Sequence, residues 1–536
     1  MRTYTATNIQ TPSRRRTVIA TRTALSRVLM LAALVGCGSA SEPTAPAPVV
    51  PPPTPVAFTV PPLAREFRGL WVATVANIDW PSRTGMTTAA QQAELIAIFE
   101  LARSTGLNAV VLQVRANGDA LFPSAYEPWS RSLTGVQGGD PGWDPLAFAV
   151  TEAHVRGLEL HAWFNPFRAG NLSDSLRTDA SHLSKRRPDL TRAYCTQLWF
   201  DPAESAVQDQ AITVIQDVVR RYAIDAVHLD DFFYPYPDTR CPNLDFPDAA
   251  GYARYRASGG ALARDDWRRD NVNRFVERLY ADVHAVSATV RVGISPFGIW
   301  RPGNPAGIVG LDAFGSIYAD SRLWLQRGWV DYFAPQLYWS IASTGQSFPM
   351  LLDWWTQQNT MRRHLWPGLG AYRVADGSTS PYSANEIVSQ VQLARTRAAT
   401  AGGPTGVVLY NTTVLKANRD GLATQLSGST YSTGALVPAT TWLDGSVPST
   451  PTITVASVSG TSTLRVTISG TSAKPIQWWC VRWRTGSTWG MRLIPSESRV
   501  TDVPGGLGAP FTDAIVVNAI DRVGTASDAA VWRSPS

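Results

Sequence analysis

Two adjacent carboxylates, Asp230 and Asp231, end a short apolar run in the stretch Ala226–Pro237, AVHLDDFFYPYP, and a cluster of aromatics and prolines follows them. The run up to Leu229 reads as a strand, which the Phe/Tyr/Pro cluster cannot continue. Acids and rings at the carboxyl end of a strand are how an α/β barrel builds a site. Strand alternation puts His228 and Asp230 on one face. Asp230 is therefore expected in the barrel mouth with His228 a layer below, while Asp231 points the other way and either bends inward or holds a loop arginine. Glycoside hydrolysis usually needs two carboxyl groups flanking the scissile bond, about 5 to 9.5 Å apart. On that requirement Asp230 is the expected nucleophile or general base, with Asp231 next, and the acid has to come from elsewhere.

No Glu stands at the exits of the later strands, so the acid candidates are Asp119 and Glu127, both after the second strand. Glu127, flanked by Pro128 and Trp129, sits in the kind of apolar setting that raises a carboxyl pKa towards an acid role. The alternative is that it hydrogen-bonds a loop amide. Trp80, Trp129, Trp163, Tyr234, Trp300, Tyr338, Trp339 and Tyr372 crowd the strand exits. Beside them stand Arg115, Asn165, Arg301, Gln336 and Asn411. Rings stack on the C–H face of a pyranose, and planar amide and guanidinium groups bond its hydroxyls. The alternative for any one ring is a place in the core between barrel and helices.

The elements that must position these residues alternate eight times. Strands are expected at 67–75, 109–114, 159–164, from 226, at 291–295, 332–335, 365–369 and 406–410. Helices are expected near 89–104, 145–156, 203–222, 266–286, 319–326, 348–361 and 383–399, the fifth being short. Eight units over residues 61–426 predict a (β/α)8 TIM barrel with enlarged exit loops. Past a linker at 427–449 the texture becomes Ser/Thr/Gly with short alternating runs at 452–458, 464–468, 478–483 and 514–519, which predicts a small all-β sandwich over 450–536. Its ending, VNAIDRVG, resembles the last strand and turn of fibronectin type III modules, and a spacer role is favoured over glycan binding.

The net charge of +6 invites a nucleic-acid reading that its distribution denies. Arg2, Arg14, Arg15, Arg16, Arg22 and Arg27 lie in the first 36 residues without an acid, and setting them aside leaves 42 basic against 42 acidic residues. The body is neutral, and no nucleic-acid partner is expected. The basic segment and VLMLAALVG form a signal peptide over 1–36, with an apolar run too short to span a membrane as a helix. Leu34-Val35-Gly36-Cys37 resembles a bacterial lipobox, which implies cleavage before Cys37, its lipidation, export and a membrane anchor; Gly38 favours the outer membrane. Residues 37–60 are then a lipidated cysteine and Pro-rich tether. Cys195 and Cys241 fall in neighbouring loops, and export permits a disulfide between them. There is no CxxC, HExxH or Cys/His cluster, so neither a structural nor a catalytic zinc is expected.

REFRGLWVATVANIDWP at 65–81, VRANGDALFPSAYEPWS at 114–130, HAWFNPFRA at 161–169 and HLDDFFYP at 228–235 resemble the glycosyl-hydrolase-like family ten, as do ISPFGIWRP at 294–302 and APQLYWS at 334–340. The resemblance implies a TIM barrel on an envelope lipoprotein, no cofactor, and hydrolysis of peptidoglycan glycan strands stripped of stem peptides. By motif it carries over Asp230 and Asp231 as catalytic residues and Arg115, Asp119, Glu127 and Asn165 as site residues. Two alternatives stay open: another polysaccharide as substrate, or a silent barrel that only binds glycan.

Overall fold

A computed structural model describes residues 58–505 and 511–534; the signal-like segment, Cys37 and most of the tether lie outside the described residues. Eight parallel strand positions follow in chain order: β1 Phe67–Val72, β2 Ala109–Arg115, β3 Glu159–Phe164, β4 Ala226–Leu229, β5 Arg291–Ile294, β6 Tyr332–Leu337, β7 His364–Leu369 and β8 Gly406–Leu409. Every residue of β1, β2 and β3 is buried. That is the pattern of a parallel sheet covered on both faces, and it is why these segments read as near-continuous apolar runs.

Each strand pairs with its successor, and β8 pairs with β1, Phe67 opposite Gly406, so the barrel closes. β6 and β7 are each interrupted. Pro335 divides Tyr332–Phe333 from Gln336–Leu337, and Trp366-Pro367 divides His364–Leu365 from Gly368–Leu369. Proline has no N–H for the ladder, yet the matching halves still pair with each other.

Helices follow the strands as α1 Thr88–Ser104, α2 Pro145–His154, α3 Ser205–Arg221, α4 Arg264–Val286, α5 Ser321–Arg327, α6 Phe348–Gln358, α7 Ala384–Arg397 and α8 Leu422–Gln425, and further helices, among them Ala249–Ala257 and Thr412–Lys416, lie in the loops. Local chemistry sets their ends. Asp144 caps α2, accepting from the amides of Leu146 and Ala147, with Pro145 at the first position. The short α5 predicted after β5 is present and stops at Gly328, whose φ of 71° is the left-handed cap. α3 turns Val207, Ala211, Ile215 and Val218 inward at three- and four-residue spacing.

The barrel interior is aromatic: Phe67 stacks on Trp366 with ring centroids 3.6 Å apart, and Tyr332 on Trp366 at 4.4 Å. Gly293 makes room for Tyr332, since a Cβ there would lie 1.9 Å from its ring. A three-stranded antiparallel sheet not foreseen in the sequence, Arg168–Asn171, Thr191–Tyr194 and Gln197–Phe200, is built from the β3 exit loop. A disulfide, Cys195–Cys241, ties its hairpin to the β4 exit loop.

The C-terminal region is a sandwich of β9 Thr452–Ser457, β10 Thr463–Ser469, β11 Ile476–Thr485, β12 Thr488–Pro495, β13 Val500–Pro504, β14 Thr512–Asp521 and β15 Ala530–Arg533, ordered β9-β10-β13 against β12-β11-β14-β15. Sequence patterning had shown four of these strands. The sandwich is docked on the amino-terminal ends of the barrel strands. Asp225, just before β4, accepts from Gln477 at 2.6 Å and His154 at 2.8 Å, and Arg522 donates to the carbonyl of Ile224 at 2.8 Å. Nor is 427–449 a free linker: Leu436 pairs with the chain beside Arg65, Thr440 accepts from buried Arg291, and Trp442 donates to Asp331.

Candidate active site

β4 ends at Leu229, so the strand's alternation does not extend through Asp230 and Asp231. Both carboxylates are nearly enclosed, 5% and 6% exposed, and Asp231 takes a tyrosine and an amide as partners and no arginine ion pair among the described residues. Asp230 Oδ2 accepts from Asn165 Nδ2 at 2.6 Å and Trp163 Nε1 at 3.1 Å, and Oδ1 accepts from the amide of Phe232 at 3.2 Å. Asn165 is itself held: its Oδ1 accepts from Gln113 at 2.7 Å, and Gln113 Oε1 accepts the amides of Thr74 and Val75. Three strand exits thus orient one carboxylate. Asp231 accepts from Tyr236 Oη and from the side chain of Gln336, which also donates to the carbonyl of Ser295.

Burial is the main force on both acids. It lifts Asp230, with the neighbouring charge of Asp231 adding to it, to about 7, and it raises Asp231 as well. Opposing it first are the hydrogen bonds from Asn165 and the Phe232 amide to Asp230 and from Tyr236 and Gln336 to Asp231, and then Arg168, a half-buried guanidinium at the start of the small sheet that also interacts with Asp119 and lies 4.8 Å from the ring of Phe232. With both carboxyls raised, one of the two can hold a proton and donate it while the other stabilises positive charge. Burial also holds Tyr236 and Tyr338 well above the usual phenol range, so both keep their hydroxyl protons.

Around the pair, Tyr338 stacks on Tyr410 at 5.8 Å, Tyr372 meets both edge-on at 5.8 Å, and Trp339 meets Phe297 edge-on at 5.6 Å. These rings are partly exposed, as a sugar-stacking surface requires.

Several expected site residues serve elsewhere. Glu127, the expected acid, is enclosed: its two oxygens accept from Arg115 Nε at 2.8 Å and Nη2 at 2.5 Å, and the two side chains are 0% and 1% exposed. Its charge is spent on Arg115, which in turn donates to the carbonyls of Asn165 and Pro166 and so fixes the β3 exit. The partner of Glu127 is thus the Arg115 guanidinium at the end of β2 and not a loop amide, and Arg115 is as enclosed as the acid it holds. Asp119, 2% exposed, accepts from the amide of Asn117 and from Gln137.

His228 lies in the barrel interior beneath the pair, as expected, but is fully buried and cannot touch a sugar. Trp71 Nε1, which can only donate, points at His228 Nε2 at 3.2 Å, so the ring proton sits on Nδ1 beside Tyr332 Oη at 2.9 Å. Burial pushes its pKa well down, which keeps the ring neutral. Trp300 bonds Asp320 and stacks on Trp354 of α6, and Arg301 pairs with Asp312 over Phe314. Asn411, 7% exposed, opens the short helix Thr412–Lys416. Trp80 and Tyr234 are core.

The sequence reading missed Arg168, Tyr236, Tyr410 and Gln113. Tyr236 lay within the stretch already singled out, and Arg168 lay four residues past β3, where an Arg near two acids was the available signal.

The family profile described as Glycosyl hydrolase-like 10 matches residues 66–383, a span that contains the Asp230–Asp231 pair, Asn165 and Arg168. The glycosyl hydrolase YngK of Bacillus subtilis (strain 168) is 41% identical over 398 residues, covering 73% of this chain and 76% of that protein. The glycosyl hydrolase DigH of Escherichia coli (strain K12) is 34% identical over 379 residues, covering 66% of this chain and 83% of that protein. Among solved structures, the glycoside hydrolase domain of PgaB (BpsB) from Bordetella bronchiseptica gives a TM-score of 0.44 at 13% identity, covering 68% of this chain and 98% of that one. A closed barrel with a buried carboxyl pair at the end of β4, carried on this family's sequence, makes the chain a glycoside hydrolase belonging to the glycosyl hydrolase-like family 10.

Proposed function

We propose that the protein hydrolyses glycosidic bonds in peptidoglycan glycan strands bare of stem peptides, from a lipid anchor at Cys37 in the cell envelope, on the periplasmic face of the outer membrane. The observation that carries the chemistry is the buried Asp230–Asp231 pair, fixed by Asn165, Trp163 and Tyr236 and opposed by Arg168. Support for the substrate comes from the family resemblance and from the ring-lined mouth, which suits unbranched, uncharged sugar faces. Support for the location comes from the lipobox-like Leu34–Cys37 and the Pro-rich stretch after it.

In the proposed reaction Asp231, protonated and hydrogen-bonded to Tyr236, gives its proton to the leaving oxygen. Asp230 stabilises or attacks the anomeric carbon, its negative charge held by three donors, and a water then adds to that carbon, frees Asp230 and gives its proton back to Asp231. Gln336 and the Tyr338, Tyr372 and Trp339 rings bind the sugar; no cofactor takes part.

The test incubates purified protein with intact sacculi and with amidase-treated, peptide-free sacculi and reads released fragments by mass spectrometry, with Asp230→Asn alongside. Saccharide fragments from the stripped material, absent with the variant, are expected. Release from other glycans but never from sacculi would overturn the substrate assignment.

A further inference from the structure

Arg168 stands beside the carboxyl pair with its donors unspent. The side chain is half-buried, and its charge acts on Asp230, Asp231, Asp119 and Tyr410. Yet its guanidinium makes no hydrogen bond and no ion pair among the described residues, so those oxygens lie beyond direct pairing distance. Other arginines of the barrel and its exit loops are engaged. Arg115 holds Glu127, Arg268 holds Asp248 and Arg291 holds Glu159. Arg301 pairs with Asp312, Arg373 with Asp376, and Arg419 donates to the Tyr372 carbonyl at 3.3 Å.

We propose that Arg168 selects peptide-free strands by binding the carboxylate that a glycan strand exposes where a stem peptide has been removed. The assignment rests on the peptidoglycan reading above and names what that site recognises.

The chemistry of the substrate asks for such a group. A stem peptide is joined to the strand through an amide on the lactyl ether of alternate sugars, and hydrolysis of that amide leaves a carboxylate. A bare strand therefore differs from a substituted one in charge as well as in bulk, although its ring faces stay uncharged. Space alone admits any strand without a bulky substituent. A cation also distinguishes a free carboxylate from one capped by a small neutral group. The planar fork of an arginine meets a carboxylate with two parallel N–H···O bonds.

The fold holds the guanidinium in place for that task. Its backbone pairs with Trp199 in the hairpin that the Cys195–Cys241 bridge ties to the β4 exit loop. Its head lies 4.8 Å from the Phe232 ring, and Phe232 meets Tyr236, the partner of Asp231, edge-on at 5.3 Å. A side chain fixed at both ends loses little freedom on binding. Because its charge reaches both acids of the pair, a carboxylate it holds belongs to a sugar at or next to the bond being cut. Both acids are raised, so in the proton-donating state that anion faces one ionised carboxylate of the pair rather than two.

The experiment measures kcat/KM of the purified protein on peptide-free glycan strands of one length, with their carboxylates free or converted to neutral methylamides. Wild type, Arg168→Met and Arg168→Lys are compared. A ratio of two substrates on one enzyme at one pH cancels partial misfolding and any shift in the carboxyl pair. Wild type should prefer the free acid by about tenfold or more, the value of one charge-assisted hydrogen bond. Arg168→Met should bring the ratio to about one, and Arg168→Lys, a point charge without the fork, should keep part of it. Wild type that cuts the capped strand as fast as the free one, or faster, overturns the assignment and leaves the peptidoglycan reading in place. So does an unchanged ratio in Arg168→Met. Wild type that cuts other glycans but neither strand overturns the peptidoglycan reading and this assignment with it. If Arg168→Met cuts neither strand, the ratio is read as affinity in the Asp230→Asn background. Loss of the preference on adding Arg168→Met is again expected there, and its persistence refutes the carboxylate contact.

Discussion

Glu127→Gln separates a structural acid from a catalytic one. The wild-type carboxylate lies against Arg115 with two contacts, 2.8 and 2.5 Å long, and neither side chain is more than 1% exposed. Removing one partner of a buried pair strands the other charge, which costs about 3–5 kcal/mol. Gln keeps one acceptor, and Arg115 keeps its bonds to the Asn165 and Pro166 carbonyls, so the low end, about 3 kcal/mol, applies. Denaturant unfolding should show that loss. The double variant Arg115→Met/Glu127→Leu should recover part of it, because no charge remains buried, though two carbonyls lose their donor. Turnover of folded Glu127→Gln should fall only as far as Asn165 shifts beneath Asp230. An unchanged unfolding midpoint with turnover down by about a hundredfold or more, the effect of deleting a general acid, would refute the assignment and restore Glu127 to the chemistry.

Four further outcomes are expected. With Asp230 lifted to about 7 and acting in its ionised form, activity should be lost on the acid side near neutrality, and Arg168→Met, by removing the cation that favours the charged form, should move that limb to higher pH. The same raised pKa means the native state binds the proton more tightly than the unfolded chain, so this carboxyl's contribution to stability falls as pH rises from about 4, the unfolded value, to about 7; a pH series of unfolding midpoints for wild type and Asp230→Asn reads it. Replacing Cys195 and Cys241 by Ser opens a loop of 46 residues and should cost about 4 kcal/mol by chain entropy, measured by denaturant unfolding. Burial pushes the Asp225 carboxyl up, but His154 and Arg522 and the Leu160 amide outweigh it and hold its pKa below the usual range. Its contribution is therefore present above about pH 4 and lost below, and Asp225→Asn should loosen the sandwich from the barrel, read as raised amide exchange at β11 and the start of β4.

The barrel was legible because buried parallel strands and amphipathic helices leave different periods in a sequence, and β1, β2 and β3 carried theirs without interruption. β6 and β7 were legible as apolar runs but not as split strands, since a proline's effect depends on whether the ladder needs its N–H. The strands β12, β13 and β15 went unseen because their exposed faces blur the alternation.

Of the site, the sequence by itself determined that Asp230, Asp231 and Asn165 stand at strand exits with aromatics close by, because the end of a strand is a local property. Only the tertiary structure decided what each acid does. Whether a carboxylate is free, shared or neutralised depends on which cation the loops bring to it. Arg115 reaches Glu127 across twelve residues of loop, and Arg168 approaches the Asp pair from another strand's exit. The desolvation that lifts Asp230 is likewise a sum over every surrounding element. Composition and spacing carry neither quantity, so chain order placed the carboxyls and packing assigned their protons.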